Sequence, residues 1–207
     1  MPTRPRSCHA DIFRKRYFIL PRMNFAQVIS TVGGQLDAAG VHYAVIGGFA
    51  MALRGVQRTT MDLDFILMLE DLEIADRILS GCGYRREFHS ENVSHYVAAD
   101  DAWGRIDILH AFRGPSLGML RRAERLPRGG DPSLPVVGIE DLVGLKIQAL
   151  VNDPTRAVGD WNDIRLLLEA TRDQGVTLDW ALLEDYLRLF DLDGKLPELK
   201  SIHGTAH

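Results

Sequence analysis

The chain has 207 residues, of which 46% are hydrophobic and 25% are charged, and its formal net charge is −4. This composition is typical of a globular protein and excludes disordered chains, collagen-like repeats and small disulfide scaffolds. The near-neutral charge argues against a protein that attracts nucleic acid through its overall charge, but it leaves a local basic patch open.

Cysteine content and hydropathy indicate where the protein works. Cys8 and Cys82 are too few for a disulfide framework and predict a reducing compartment. The longest apolar stretch, 43–53, is too short and too rich in glycine to cross a bilayer. We therefore expect a cytoplasmic protein that does not enter a membrane.

Residues 1–22 carry six basic side chains and a single acidic one. Their only apolar run, 17–20, is too short for the core of a signal peptide. The composition predicts a disordered basic tail or an over-extended start upstream of Met23, and it leaves open an arm that binds nucleic acid.

Hydrophobic periodicity predicts alternating helices and strands from residue 24 onwards. In chain order, the expected elements are a helix over 24–39, a strand over 42–46, a short helix over 49–54, a strand over 60–68, a helix over 71–80 and strands over 93–98 and 105–111. A loop-rich insertion is expected over 113–135, followed by helices over 139–151, 160–172 and 178–190.

These elements predict a mixed α/β protein of the α+β class. A small mixed sheet flanked by helices should be followed by a helical C-terminal portion. The expected organisation is an α/β core over 23–138, a helical portion over 139–192 and a tail over 193–207.

A glycine pair, Gly47 and Gly48, follows the first predicted strand and precedes a short helix. Such a turn exposes backbone N–H groups, and glycine allows a phosphate group to approach them closely. A glycine pair alone is not specific for phosphate, so the interpretation depends on the acidic residues that follow.

Two aspartates, Asp62 and Asp64, are spaced i, i+2 on the next predicted strand. Residues with this spacing point to the same face of a sheet, so the two carboxylates converge. Like charges at such a distance repel each other unless a cation lies between them, and carboxylate oxygens suit Mg²⁺. The pair therefore predicts a metal site.

A third carboxylate is available from Asp107, which interrupts an apolar strand between Ile106 and Ile108. If its strand lies beside the first two aspartates, Asp107 joins their site. An acid on an alternating strand also commonly faces solvent, and both interpretations stay open.

Lys146 lies on the apolar side of a predicted helix, where a cation is costly unless it is paired. Its candidate partners are Asp160 and Asp163, one turn apart on the next helix, or the phosphates of a nucleotide. A buried ion pair that holds the two helices together and a contact with phosphate are compatible.

Together these motifs resemble the nucleotidyltransferase superfamily of the DNA polymerase β type. The closer resemblance is to the nucleotidyltransferase-like toxins of bacterial abortive-infection and toxin–antitoxin systems. The residues that carry it are Gly47-Gly48, Arg58-Thr59-Thr60, Asp62-Leu63-Asp64, Lys146, Asp160 and Asp163. Many members of the wider superfamily have serine where this chain has Gly48, so one hydroxyl contact to phosphate is absent from that position.

The resemblance implies a nucleotidyltransferase fold and a Mg²⁺-dependent transfer of a nucleoside monophosphate from an NTP, such as ATP, to an acceptor hydroxyl. In that scheme the catalytic residues are Asp62, Asp64, Asp107 and Lys146. The three aspartates hold the metal ions, and Asp107 completes the metal site on the acceptor side or acts as a base for the acceptor hydroxyl. The resemblance also implies which residues bind the nucleotide, namely Gly47, Gly48, Arg58, Thr60, Lys146, Asp160 and Asp163.

The acceptor is left open among tRNA, a protein and a small molecule, and an antitoxin is a candidate partner. One alternative is a non-catalytic nucleotide-binding or interaction module of the same fold. Another is an enzyme that modifies a small molecule, as the antibiotic nucleotidyltransferases do. The three acidic residues favour an enzyme over a non-catalytic module.

Overall fold

The structure, a computed structural model, describes residues 23–58, 60–100, 102–128 and 131–204. The predicted basic tail over 1–22, which includes Cys8, lies outside these residues. None of the helices within the described ranges has both the length and the apolar character needed to cross a bilayer.

The seven strands within the described residues form one mixed sheet in the order β3-β4-β5-β2-β1-β7-β6. The strands are β1 (Tyr43–Ile46), β2 (Asp62–Met68), β3 (Tyr84–His89), β4 (Val93–Ala98), β5 (Arg105–Ala111), β6 (Glu124–Arg128) and β7 (Asp131–Val136). Strand β2 is antiparallel to β1 and parallel to β5. The sheet therefore places the two strands that carry aspartates side by side.

Helices account for most of the remaining described residues. They are α1 (Phe25–Val28), continued through a π-helical turn (Ile29–Gly33) into α2 (Gly34–Ala38), then α3 (Gly47–Leu53), α4 (Leu72–Gly81), α5 (Gly114–Arg122), α6 (Ile139–Asn152), α7 (Ala157–Asp173), α8 (Trp180–Leu189) and α9 (Leu196–His203). The mixed α/β architecture predicted from the sequence is confirmed.

The alternation of side chains along β2 separates the core from the site. Leu63, Phe65 and Leu67 are buried on one face of this strand. Asp62 and Asp64 lie on the opposite face, because successive side chains of a strand point to opposite sides. Burial of the apolar face thus fixes the direction in which the two carboxylates point.

The loop-rich insertion predicted over 113–135 is wrong. This stretch contains α5 and the hairpin of β6 and β7, and β7 pairs with β1 in parallel. Pro127 lies on the edge strand β6, where a missing N–H does not interrupt the sheet. Side-chain bonds to distant elements, such as Arg125 to Asp37, hold the insertion in place.

Two further elements were missing from the prediction. Strand β3 presents mostly exposed charged residues, so its sequence lacks the alternation that identifies a half-buried strand. The predicted tail contains α9, whose Leu199 is fully buried and whose C-terminal end accepts a bond from Arg172 to the carbonyl of Ile202. The many charged residues of this short helix made its sequence look like that of a polar tail.

Gly144 allows α6 to pack closely against α8. A Cβ atom at this position would lie 2.7 Å from Cδ1 of Tyr186, whose hydroxyl donates a 2.7 Å hydrogen bond to the buried Asp141. Because that bond restrains the ring, we expect Gly144→Ala to lower the free energy of unfolding by about 1–3 kcal/mol. Denaturation by urea measures the change.

Gly159→Ala provides the matched control, since Gly159 lies on an exposed part of α7 with nothing within 4 Å of the added Cβ. Alanine is the better helix former, so the free energy of unfolding should rise by about 0.5–1 kcal/mol. A Gly144→Ala protein as stable as the wild type would contradict this description of the helix contact.

Candidate functional site

The glycine turn between β1 and α3 lies directly beneath one aspartate. Gly47 has a φ of +65°, and a Cβ atom there would overlap with Oδ2 of Asp64. The backbone N–H of Gly48 also hydrogen-bonds to the Asp64 carboxylate. Residue 47 must therefore be glycine for two reasons, its backbone conformation and the close contact with Asp64.

The three predicted metal-binding aspartates come together on one face of the sheet. Asp64 and Asp107 are register partners in the parallel pair of β2 and β5, and Asp62 precedes Asp64 on the same face. Burial, followed by the negative charges of Asp107 and Asp62, raises the pKa of Asp64 to about 6. Burial and Asp107 also raise the pKa of Asp62.

The raised pKa of Asp64 affects stability. Between its ordinary pKa of 3.8 and about 6, the folded protein binds a proton that the unfolded chain has lost. The free energy of unfolding of the metal-free protein therefore falls as the pH rises through this window. Above it the protein contains an ionised, mostly buried carboxylate that a cation would stabilise.

Asp107 is half-buried and has two hydrogen-bond donors on a single oxygen. Nδ1 of His95 lies 2.7 Å from Oδ1 of Asp107, and Nε of Arg105 lies 3.0 Å from the same oxygen. Asp107 is therefore neither a freely solvated side chain nor directed only at the other aspartates.

The donor chemistry of the three aspartates fits Mg²⁺, because hard carboxylate oxygens repel one another here and gain from a hard cation. In the described part of the chain, no three His, Cys, Asp or Glu side chains are already gathered as a metal-binding group. Binding of an ion would therefore require the carboxylate oxygens to move together around it.

The predicted cationic residues form a compact ion-pair network with Asp160 and Asp163. Nζ of Lys146 lies 2.9 Å from Oδ1 of Asp160 and 2.6 Å from Oδ2 of Asp163. Arg58 also pairs with Asp163. Nε of Arg156 lies 3.2 Å from Asp160, a contact that the sequence did not predict.

Lys146 connects this network to the aspartates on the sheet. Its side chain is buried. Its positive charge lowers the pKa of Asp64, whereas burial and the charges of Asp107 and Asp62 raise it. The buried ion pair considered from the sequence is therefore present, and the same ammonium group lies within electrostatic reach of Asp64. Both interpretations of Lys146 remain compatible.

Thr60 occupies the space beside Gly48. A Cβ atom on Gly48 would lie 3.0 Å from both Cβ and Oγ1 of Thr60, which donates a 3.1 Å hydrogen bond to the carbonyl of Asp62. A hydroxyl group is therefore present at the glycine turn, but it comes from the segment before β2. A serine at position 48 would compete with it for space.

Sequence reasoning missed His95 and Arg105. Arg105 is spaced i, i+2 from Asp107 on one strand, which is a signal that the sequence contains. To predict the contact between His95 and Asp107, one must know the register of the hairpin formed by β4 and β5. That register depends on where the connecting turn closes.

Solved structures with similar folds are nucleotidyltransferases and related proteins. The solution structure of the antibiotic-resistance factor ANT(2'')-Ia has a TM-score of 0.58 at 15% identity, covering 88% of this chain and 99% of its own. The crystal structure of ANT(2'')-Ia with adenylyl-2''-tobramycin gives the same TM-score and identity, with coverages of 80% and 99%. An antigenic nucleotidyltransferase-like protein from Paracoccidioides brasiliensis has a TM-score of 0.54 at 17% identity, with coverages of 86% and 91%.

No protein-family model matches the chain, and no curated protein sequence matches it. The structural similarity nevertheless extends over most of this chain and nearly all of ANT(2'')-Ia. The chain therefore has the nucleotidyltransferase fold.

Because Gly48 and Thr60 are in close contact, the effect of a substitution at position 48 on stability should depend on the residue at position 60. Gly48→Ser should lower the free energy of unfolding by about 1 kcal/mol or more, because the new side chain meets Thr60. In a Thr60→Gly background, which removes both Cβ and Oγ1, the same substitution should cost much less. Urea denaturation of the four proteins in this double-mutant cycle measures the coupling.

Gly34→Ser serves as a control for adding a serine to a helix, since nothing lies within 4 Å of a Cβ at Gly34. Its cost should be the same in the wild-type and Thr60→Gly backgrounds. An equal cost for Gly48→Ser in both backgrounds would show that Thr60 does not occupy this space.

Proposed function

We propose that the protein is a Mg²⁺-dependent nucleotidyltransferase that transfers a nucleoside monophosphate from an NTP to an acceptor hydroxyl and releases pyrophosphate. The observation that carries this proposal is the position of Asp64 above the Gly47-Gly48 turn, electrostatically coupled to Asp62 and Asp107. The similarity in fold to nucleotidyltransferases supports the reaction class.

In this proposal Asp62, Asp64 and Asp107 hold the metal ions. When bound, Mg²⁺ supplies the positive charge that stabilises the attacking and leaving oxygens of an in-line displacement. Asp107 either completes the metal site on the acceptor side or acts as the base for the acceptor hydroxyl; as the base, its carboxylate accepts the proton while the new O–P bond forms and the bond to pyrophosphate breaks.

The other predicted residues bind the nucleotide. Arg58 and Lys146 provide positive charge for the triphosphate, and Asp163, which pairs with both, holds them close to each other. The Gly47-Gly48 backbone leaves room beside Asp64, and the hydroxyl of Thr60 is the group at this turn that replaces the missing serine. Asp160 contributes by orienting Lys146.

The acceptor is proposed to be a hydroxyl of a tRNA, a protein or a small molecule, and the motifs favour a toxin that an antitoxin controls. The structure of ANT(2'')-Ia with an adenylylated antibiotic makes antibiotic modification the second candidate function.

A transfer assay tests the proposed function. Wild-type protein, Mg²⁺, cell extract and each labelled NTP in turn should yield a labelled fraction that identifies the acceptor. Asp64→Asn should reduce labelling about 100-fold or more, because a neutral amide is a poor metal ligand. The exposed Asp173 provides the control variant Asp173→Asn, which should label normally.

Two results would contradict the proposal. One is an Asp64→Asn protein that labels its acceptor as fast as the wild type. The other is a wild-type protein that shows no binding of Mg²⁺–NTP in calorimetry. Nucleotide binding without transfer to any fraction would support the non-catalytic module instead.

A further inference from the structure

The carboxylate of Asp107 is contacted by two residues outside the recognised motifs, His95 and Arg105. His95 on β4 is the register partner of Asp107 on β5, and its Nδ1 atom lies 2.7 Å from Oδ1 of that carboxylate. Arg105 donates to the same oxygen from the strand that carries Asp107. Two donors on one oxygen restrict the rotation of the carboxylate about its χ angles.

The imidazole of His95 is itself held by an aromatic contact. Phe88 on β3 is the register partner of His95, and the two rings stack with centroids 5.2 Å apart and planes 27° apart. Phe88 is 49% exposed, which is unusual for a phenylalanine that serves only the core. Stacking fixes the plane of the imidazole and keeps its Nδ1 edge toward Asp107.

The electrostatics of the site explain why Asp107 needs such support. Asp107 raises the pKa values of Asp62 and Asp64, so the negative charges of the three side chains oppose one another. Without a restraint, Asp107 would gain by rotating toward solvent and away from the other two carboxylates. His95 lies on β4, on the side of β5 away from β2, so the two donors fix Oδ1 on that side of the strand and oppose free rotation of the carboxylate.

We propose that His95, held by stacking on Phe88, is a positioning residue that orients the carboxylate of Asp107 for nucleotidyl transfer. The effect of His95 on nucleotidyl transfer rests on the proposed function. The orientation of Asp107 by His95 is a property of the free protein and is tested separately.

The first test is nitrogen-15 NMR of the histidine side chains in metal-free protein at pH 8. A carboxylate acceptor at Nδ1 requires a proton on that atom, so neutral His95 should be the Nδ1-protonated tautomer. In Asp107→Ala it should return to the Nε2-protonated tautomer. The same tautomer in both proteins would overturn the positioning role.

The second test separates catalysis from nucleotide binding. His95→Leu should lower kcat about 10- to 100-fold, as expected for the loss of a hydrogen bond to a charged group, with the KM for NTP within about twofold. His95→Asn, whose amide can donate from the position of Nδ1, should recover much of that loss. Phe88→Leu should give a smaller loss of the same kind.

His42 provides the matched control. Its Nδ1 atom lies 2.8 Å from Oδ2 of Asp71, which is not one of the three aspartates of the candidate site. His42→Leu should leave kcat unchanged. His95→Leu with a wild-type kcat, or His95→Asn as impaired as His95→Leu, would overturn the inference. A wild-type protein without transfer activity would overturn the proposed function and the catalytic part of this one, whereas an unchanged tautomer overturns the positioning alone.

Discussion

Repulsion among three carboxylates on one face of the sheet is the constraint on which the rest of the site depends. Asp64 lies at its centre, packed against a turn that only glycine can form. Desolvation and the neighbouring charges favour its protonated form, so the folded chain gains nothing from placing these groups together unless a cation joins them. Structures that retain such an arrangement use it for binding or catalysis more often than for stability.

The ion-pair network on α6 and α7 complements this negative centre. Lys146 is buried between Asp160 and Asp163, and Arg58 reaches the second of these from the segment before β2. Buried pairs contribute little net stability but cost several kcal/mol when one partner is removed. The network therefore fixes the positions of two cations beside the aspartates and makes the helical portion part of the same site.

Local sequence patterns predicted that Asp62 and Asp64 share one face of a strand, but they did not predict the contacts around them. The i, i+2 spacing of Asp62 and Asp64 required only the period of a strand, so it could be inferred without knowing the sheet. The contact between His95 and Asp107 required the register of a hairpin, and the hydroxyl of Thr60 beside Gly48 required two segments to meet. The helix and hairpin over 113–135 were hidden by prolines and arginines whose partners, such as Asp37 and Asp141, are distant in sequence.

The central claim is that Asp64 is held at a site built for a cation, and the titration of its carboxyl group tests this most directly. Carbon-13 NMR of the side-chain carboxyl should give a pKa of about 6 in metal-free protein. The pKa should fall in Asp107→Asn, and it should fall further in wild type with saturating Mg²⁺ and a non-hydrolysable NTP. A pKa near 3.8 without metal, or a raised pKa that Mg²⁺–nucleotide leaves unchanged, would contradict the account.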